Sequence, residues 1–423
     1  MRWVGLVFVL GLLARLAGQV VLGAYVRPQV FEYEEVASNL LAGRGYLYQA
    51  PDGGDYFASQ SSPLYIVLTA GVYLLTNHSQ WAMLLLQALM GGATAALAAW
   101  LGGRAFSRRA GFAAGVLVAV DPGLVVYGAQ LHSLTLDALA NVAVVCASVA
   151  LPRRAGAGRL AGLGTLFGVA ALTRATALLL VPAHLVWLQR CRVIRVPSVP
   201  AVALLVVVLL VYAPWPVRNS VLLGQLTLGS SETSEWLWRG NNPQANGGSL
   251  TSSGQRMLDV APAPFRAEIE AADEAQRISL YRDAALQFVR DQPVRAVQLY
   301  LTKLQAFWWG SDATGLLYPQ LWLVAYRLWY VAVLLCAACG VWRGLRETDQ
   351  RPTVVLIVIS AAIVSATQAM FYVEGRHRLA IEPLVLIMSG AGLVILIHRL
   401  LTIARAVRGP APDVSHGPGP DLV

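Results

Sequence analysis

Residues Pro63 to Thr76, PLYIVLTAGVYLLT, form an apolar run of 14 residues, and whether that run crosses a bilayer decides how the whole chain is threaded. A span needs about 20 apolar residues, so this length favours a re-entrant or interfacial segment. Arginine placement tests the choice, because basic residues collect in cytoplasmic loops. Five clusters stand between or beyond apolar runs: Arg104, Arg108 and Arg109; Arg153, Arg154 and Arg159; Arg190, Arg192 and Arg195; Arg343, Arg346 and Arg351; Arg399, Arg405 and Arg408. If Pro63 to Thr76 crossed, the first cluster would fall outside and the order would fail at every following loop. As a non-crossing segment it leaves every cluster inside.

The expected spans are then Trp3 to Ala24, Trp81 to Leu101, Ala110 to Tyr127, Ser133 to Leu151, Leu160 to Thr173, Ala175 to Gln189, Val199 to Trp215, Leu321 to Trp342, Thr353 to Tyr372 and Leu379 to Leu400. This describes an all-α polytopic membrane protein of about ten spans with both termini cytoplasmic. Composition agrees: the chain is 57% hydrophobic and 13% charged, with mean hydropathy +0.57. The net charge of +9 is explained by the loop arginines, so no nucleic-acid partner is expected. The four cysteines, Cys146, Cys191, Cys336 and Cys339, lie in or at the inner ends of apolar runs and suggest neither disulfides nor a zinc site. Trp3 to Ala24 is too long for a signal-peptide core and reads as a retained span, with Arg15 turned toward other helices.

The chain divides into an N-terminal membrane module over 1–215 with a first outer loop at 25–80, an outer insert over 216–320 of loop and short helices, C-terminal membrane helices over 321–401, and a disordered cytoplasmic tail over 402–423. No convincing internal repeat emerges.

Chemistry-bearing residues collect in the outer segments. In VFEYEEVASNLLAGRGY, Val30 to Tyr46, a turn of about 100° per residue puts Tyr33, Val36, Ala37, Leu40 and Leu41 on one face. Glu32, Glu35 and Asn39 share the opposite face, and Glu34 points away from that pair of acids. Such a helix can lie on a bilayer and hold Glu32 and Glu35 over what emerges from it. An ordinary juxtamembrane helix with a solvated acidic face has the same pattern. The other outward features are a turn near His132, a corner at Arg174, the insert, and Glu374 to Arg378, EGRHR, where two arginines stand without a topological reason.

The pieces FEYEEVASNLLAGRGY, SSPLY, LTRATALLLVP, PWPVRN followed by LWRGNNPQANG, and EGRHRLAIEP, in this order, resemble bacterial GT-C glycosyltransferases of the protein O-mannosyltransferase-like and aminoarabinose-transferase-like group. The resemblance runs from about residue 3 to 400. It implies a GT-C-like bundle with periplasmic juxtamembrane helices and one periplasmic insert in a bacterial inner membrane. It also implies a polyprenyl-phosphate-linked sugar as donor, an envelope acceptor (glycan, lipid or protein), a site facing outward, and inversion at the anomeric carbon. A sugar on a lipid phosphate has an ionised leaving group, so it calls for cationic stabilisation and a carboxylate base for the acceptor.

By motif, that base falls on Glu32, with Glu35 second. The family's second acid, expected near Ser133 or Leu134, is missing; Asp137 lies a turn deeper, and His132 stands as a substitute for acceptor contact or proton transfer. Asp137 could equally be a polar residue bonded between helices, and His132 an interfacial histidine. Arg174, Arg218, Arg376 and Arg378 are the candidates for the donor phosphate. Gln60, Ser61 and Ser62 replace a basic residue common in the family, and Trp236, Trp238, Asn241 and Asn242 are candidates for a substrate groove. One helical turn spreads the acids of the first loop too widely for a single hard cation, so no required metal and no cofactor are expected. The competing classes are a lipid-linked sugar transporter and a polyprenyl-phosphate-binding envelope assembly protein. A transporter calls for midplane acids on several spans, and Asp137 is nearly alone.

Overall fold

The computed structural model describes residues 2–49, 56–309 and 319–408, without the side chains of residues 56 and 405–408. In chain order the helices are α1 (Arg2–Val21), α2 (Glu32–Leu41), α3 (Pro63–Thr76), α4 (Gln80–Ala105), α5 (Arg108–Val120), α6 (Pro122–Tyr127), α7 (Leu134–Ala150), α8 (Ala157–Thr173), α9 (Leu180–Arg190), α10 (Val199–Tyr212), α11 (Pro214–Leu223), α12 (Glu232–Gly240), α13 (Ala263–Ala271), α14 (Glu274–Asp291), α15 (Pro293–Trp309), α16 (Gln320–Arg346), α17 (Arg351–Gln368) and α18 (Glu382–Arg408). Two 3-10 segments, Ala175–Leu179 and Gly375–Ala380, precede α9 and α18.

Local signals set these boundaries. Ser79, Ser107 and Ser198 cap α4, α5 and α10 by accepting from backbone N–H groups three residues on. Helix α3 covers Pro63–Thr76, with proline at its first turn and Asn77 in the left-handed region, φ 54°, as its stop. Among the described residues five helices, α1, α4, α16, α17 and α18 through Ala404, are long and apolar enough to cross a membrane, and α10 with α11 make a sixth if this pair, bent by 43°, is one span. The expected run Ala110 to Tyr127 is interrupted: Asp121 ends α5 and caps α6, where Pro122 cannot continue the helix. The run after Arg174 starts as a 3-10 segment before α9 begins. The tail expected over 402–423 begins within α18, which runs to Arg408; residues 409–423 lie outside the described residues.

The main core is built from α4, α5, α7 to α10 and α16 to α18. Its helices approach closely where small residues meet: a Cβ on Gly340 would run into the Met388 carbonyl, and one on Gly392 into that of Cys336, so α16 and α18 cross in near backbone contact. Apolar side chains such as Leu13, Leu209 and Leu328 remain exposed, as a lipid-facing surface requires. Arg15 does face helices: it is buried and donates to the carbonyls of Val118, at 2.9 Å, and Ala119.

Three connections tie the loop before α3, the stretch over 216–309 and the turns before α7 and α18 together. Gln29–Val30 pairs in parallel with Gln130–Leu131, which lays the start of α2 beside His132. The insert grips the first loop: Ser231 N donates to Ser59 O at 2.9 Å, and Glu274 accepts from the N–H groups of Ala58 and Ser59 at 2.6 and 3.0 Å. The insert also grips the turn before α18, with Val373 N donating to Gly247 O at 2.8 Å. Its own small core gathers Trp238, Met257, Ile269 and Tyr281.

Candidate functional site

Glu32 is the first residue of α2 and half-buried. Burial raises its carboxyl above the ordinary range, while the hydroxyls of Tyr33 and Ser61 and the charge of Arg376 hold the rise back. Ser133 Oγ donates to Tyr33 OH at 3.1 Å, linking this acid to the start of α7. Beside it stands Glu232, the first residue of α12. Gln60 Nε2 donates to its Oε1 at 2.8 Å, and Ser61 Oγ lies 3.4 Å from its Oε2. Burial, then the neighbouring charges of Glu32 and Glu235, push Glu232 well above the usual carboxylate range.

His132 is buried against Phe31 and Tyr33, with ring centroids 4.7 and 5.5 Å away. Its Nδ1 accepts from Leu134 N at 3.2 Å, which leaves the ring proton on Nε2. Burial, Arg376 and Arg174 all push its pKa well below the ordinary value. His132 is therefore a neutral donor, poorly suited to take a proton.

Arg376 pairs with Glu374 at 2.8 Å and its side chain is 18% exposed. Arg378 stands two residues on and is 1% exposed. It pairs with Glu382 at 2.7 Å, donates to Tyr326 OH at 2.6 Å and lies 3.4 Å from the Tyr330 ring centroid. Between α6, α16 and the turn at Gly375–Ala380 a cavity of about 730 Å³ opens, walled by Tyr127, Trp322, Tyr326, Tyr330 and Leu379, with Arg376 and Arg378 among its lining residues.

The remaining sequence candidates spread around this centre. Asp137 meets Arg174 at 2.9 Å, and Arg174 also donates to Gln368 at 3.1 Å, so the deep acid has the partner that its burial demands. Arg174 still faces the centre, where its charge is felt by Tyr33 and His132. Arg218 lies over Tyr46 and Trp215, at 5.3 and 5.1 Å, and donates to Ala58 O at 2.9 Å; it braces the first loop. Glu35 is exposed and accepts from Gln49 N at 2.8 Å. Glu34 accepts from Tyr73 OH and Gln80 Nε2, both at 2.6 Å. Asn39 is buried and donates to Leu47 O at 2.7 Å, because the chain folds back after α2. Glu32 and Glu35 thus line one open pocket, together with Glu34, and only Asn39 of the expected stripe is turned inward.

Gln60 reaches the centre through Glu232, whereas Ser62 only precedes α3 and makes no capping bond. Trp238 packs in the insert core against Phe265 and Tyr281. Asn241 donates to Met370 O at 2.8 Å, and Asn242 donates to Trp238 O at 2.9 Å. Glu232 is the residue that sequence reasoning missed at this centre, whereas Ser61 stood among the three residues named in place of the family's basic one. The acid at the start of a short aromatic helix was a visible signal, but its meeting with Glu32 depends on how the insert folds back. Among the described residues no three His, Cys, Asp or Glu side chains gather as a metal ion would require.

The archaeal oligosaccharyltransferase AglB from Archaeoglobus fulgidus, in complex with an inhibitory peptide and a dolichol-phosphate, superposes with TM-score 0.53 at 11% identity, over 98% of this chain and 53% of that one. The chain has the GT-C fold. The Archaeoglobus fulgidus oligosaccharyltransferase tethered with an acceptor peptide matches at TM-score 0.53 and 12% identity, over 96% of this chain and 51% of that one. The chain thus spans about half the length of these GT-C structures. ArnT from Cupriavidus metallidurans, bound to undecaprenyl phosphate, aligns at TM-score 0.42 and 14% identity, over 97% of this chain and 81% of that one. Residues 60–217 match the family of dolichyl-phosphate-mannose-protein mannosyltransferases. No curated protein matches the chain by sequence.

Proposed function

We propose that this protein is a membrane glycosyltransferase that moves a sugar from a polyprenyl phosphate to an envelope acceptor, with Glu32 as base and Arg376 at the donor phosphate. The observation that carries the reading is the aromatic cavity of about 730 Å³ with Arg376 in its lining, while Glu32, on an adjoining open pocket of its own helix, feels the charge of that arginine. AglB, which shares the fold, was solved with a dolichol-phosphate. The matched mannosyltransferase family is named for a dolichyl-phosphate donor.

In this reaction the acceptor O–H or N–H proton passes to a Glu32 oxygen as the acceptor atom attacks the anomeric carbon from the face opposite the phosphate. The bond between that carbon and the phosphate oxygen breaks, its electron pair stays on the phosphate, and the configuration inverts. Arg376 meets the growing phosphate charge, its guanidinium oriented by Glu374. His132 can donate from Nε2 to a sugar or phosphate oxygen. Arg174, fixed by Asp137 and Gln368, adds positive charge behind His132. The site faces the outer side of a bacterial inner membrane, where the polyprenyl chain reaches it from the lipid phase and both termini stay in the cytoplasm.

The test is to incubate membranes containing the protein with several radiolabelled polyprenyl-phosphate sugars. One label should leave the lipid phase. Retention of all labels in the lipid, with the protein folded and membrane-inserted, would favour a binding or transport role.

A further inference from the structure

Gln368 closes α17, and its side-chain amide is engaged at both ends. Its Oε1 accepts from Arg174 Nη1 at 3.1 Å, and its Nε2 donates to Tyr372 O and to His377 Nδ1, each at 3.1 Å. We infer that Gln368 is a positioning residue that holds His377 as a neutral imidazole with its proton on Nε2, and that this N–H joins Arg376 and His132 in binding the phosphate oxygens of the donor. The role rests on the reading of a lipid phosphate as the anionic group of that donor.

The tautomer follows from partners that have no choice. A guanidinium only donates and a backbone carbonyl only accepts, so Arg174 and Tyr372 fix which end of the Gln368 amide is oxygen. The NH2 end then faces His377 Nδ1, and the backbone N–H of Glu374 donates to the same nitrogen at 3.2 Å. Two donors meeting at Nδ1 leave no place for a proton there, so the proton sits on Nε2. His377 is buried, yet among the described residues that N–H has no hydrogen-bond partner. A buried donor without a partner costs free energy until a ligand supplies an acceptor. Nor is Nε2 sealed inside the protein, so a ligand oxygen can reach it.

His132 repeats the pattern: Nδ1 accepts from Leu134 N, and among the described residues Nε2 is unpartnered. The two rings belong to one neighbourhood. His132 precedes α7, whose Asp137 holds Arg174, and Arg174 leads through Gln368 to His377. His377 itself lies between Arg376 and Arg378, in the turn that lines the cavity. The charges of Arg174 and Arg376 bear on both rings. These four groups, two guanidinium ions and two Nε2–H edges, all donate. Such a set suits a ligand group whose oxygens all accept, which an ionised phosphate is.

Nitrogen NMR on the purified protein carrying 15N-labelled histidine reads the tautomer without any substrate. Of the six histidines, the one whose signals vanish in His377→Gln should show a bare Nδ1 and a protonated Nε2 at neutral pH. Gln368→Glu keeps an acceptor for Arg174 but has no N–H for the ring, so Nδ1 should take up a proton in that variant. A proton on Nδ1 in wild type, or an Nδ1 that stays bare in Gln368→Glu, would overturn the positioning role. Adding polyprenyl phosphate without sugar should shift the Nε2 signal of His377. In binding measurements with that lipid, His377→Phe should lose about 10- to 100-fold in affinity, the weight of one hydrogen bond to a charged group. His377→Gln, whose amide N–H can stand in for Nε2–H, should recover most of that loss. Equal losses in the two variants, or an unmoved Nε2 signal, would overturn the phosphate contact. Retention of every label in the transfer assay, with these results intact, would strike down sugar transfer alone.

Discussion

Arg376 and Arg378 share one short turn and both line the cavity, yet Arg376 keeps 18% of its side chain exposed while Arg378 is buried in its pair with Glu382. Arg376→Ala should weaken binding of polyprenyl phosphate while the protein accumulates normally. Arg378→Ala should instead lower stability, because Glu382 is left buried without its cation, a loss of about 3–5 kcal/mol for a broken buried pair. Thermal unfolding and lipid-phosphate binding on the two variants separate these outcomes; equal effects on both measurements would contradict the division. The Glu32 carboxyl is raised by burial and partly lowered by Arg376. The ionised form is the base, so transfer should fall as pH drops through a value above that of an ordinary glutamate. Removing the Arg376 charge should move that acid limb to still higher pH, because one stabiliser of the ionised form is gone. A kcat/KM profile for wild type and Arg376→Gln checks the sign. Residue chemistry was legible where position alone spoke, as with the two arginines of Glu374 to Arg378, which both line the cavity. It failed where two arginines of one turn differ in burial and partner, and where Glu232 comes beside Glu32 through a fold that neither local sequence encodes.

At the scale of elements, α12 is the bridge of the site. Its start carries Glu232 beside the first loop, and its end presses on the turn before α18: a Cβ on Gly240 would lie 2.5 Å from the Phe371 carbonyl carbon. Lys303, from α15, is fully buried and donates to Gly240 O at 2.9 Å and Asn241 Oδ1 at 3.0 Å, with burial lowering its pKa to about 8. Lys303→Met should orphan both acceptors, at roughly 1–3 kcal/mol each, and loosen the insert. Faster limited proteolysis within the insert, with the membrane helices intact, is the expected result; an unchanged cleavage rate would show that the lysine does not hold α12. Helix α3 could be read from sequence because Pro63 starts it and the apolar run ends at Thr76. The break at Asp121–Pro122 was marked in the sequence by a charged residue followed by proline and glycine, but joining the apolar residues on both sides into one run passed over it.

For the whole molecule, the all-helical membrane architecture followed from apolar runs and the arginine rhythm, and the superposition on AglB bears out the fold. Orientation has its own test. Single cysteines at Ser107, Gly156 and Ser252, all exposed positions, should divide under a membrane-impermeant thiol reagent added outside: only the one at Ser252 should react. Labelling at Ser107 would reverse the threading of α3. The central claim is that Glu32 takes the acceptor proton, and the most direct measurement compares wild type with Glu32→Gln in membranes supplied with the radiolabelled polyprenyl-phosphate sugar that wild type consumes. Glu32→Gln should bind the donor as wild type does but transfer its sugar about 10²- to 10⁴-fold more slowly. Transfer at the wild-type rate by Glu32→Gln would contradict it.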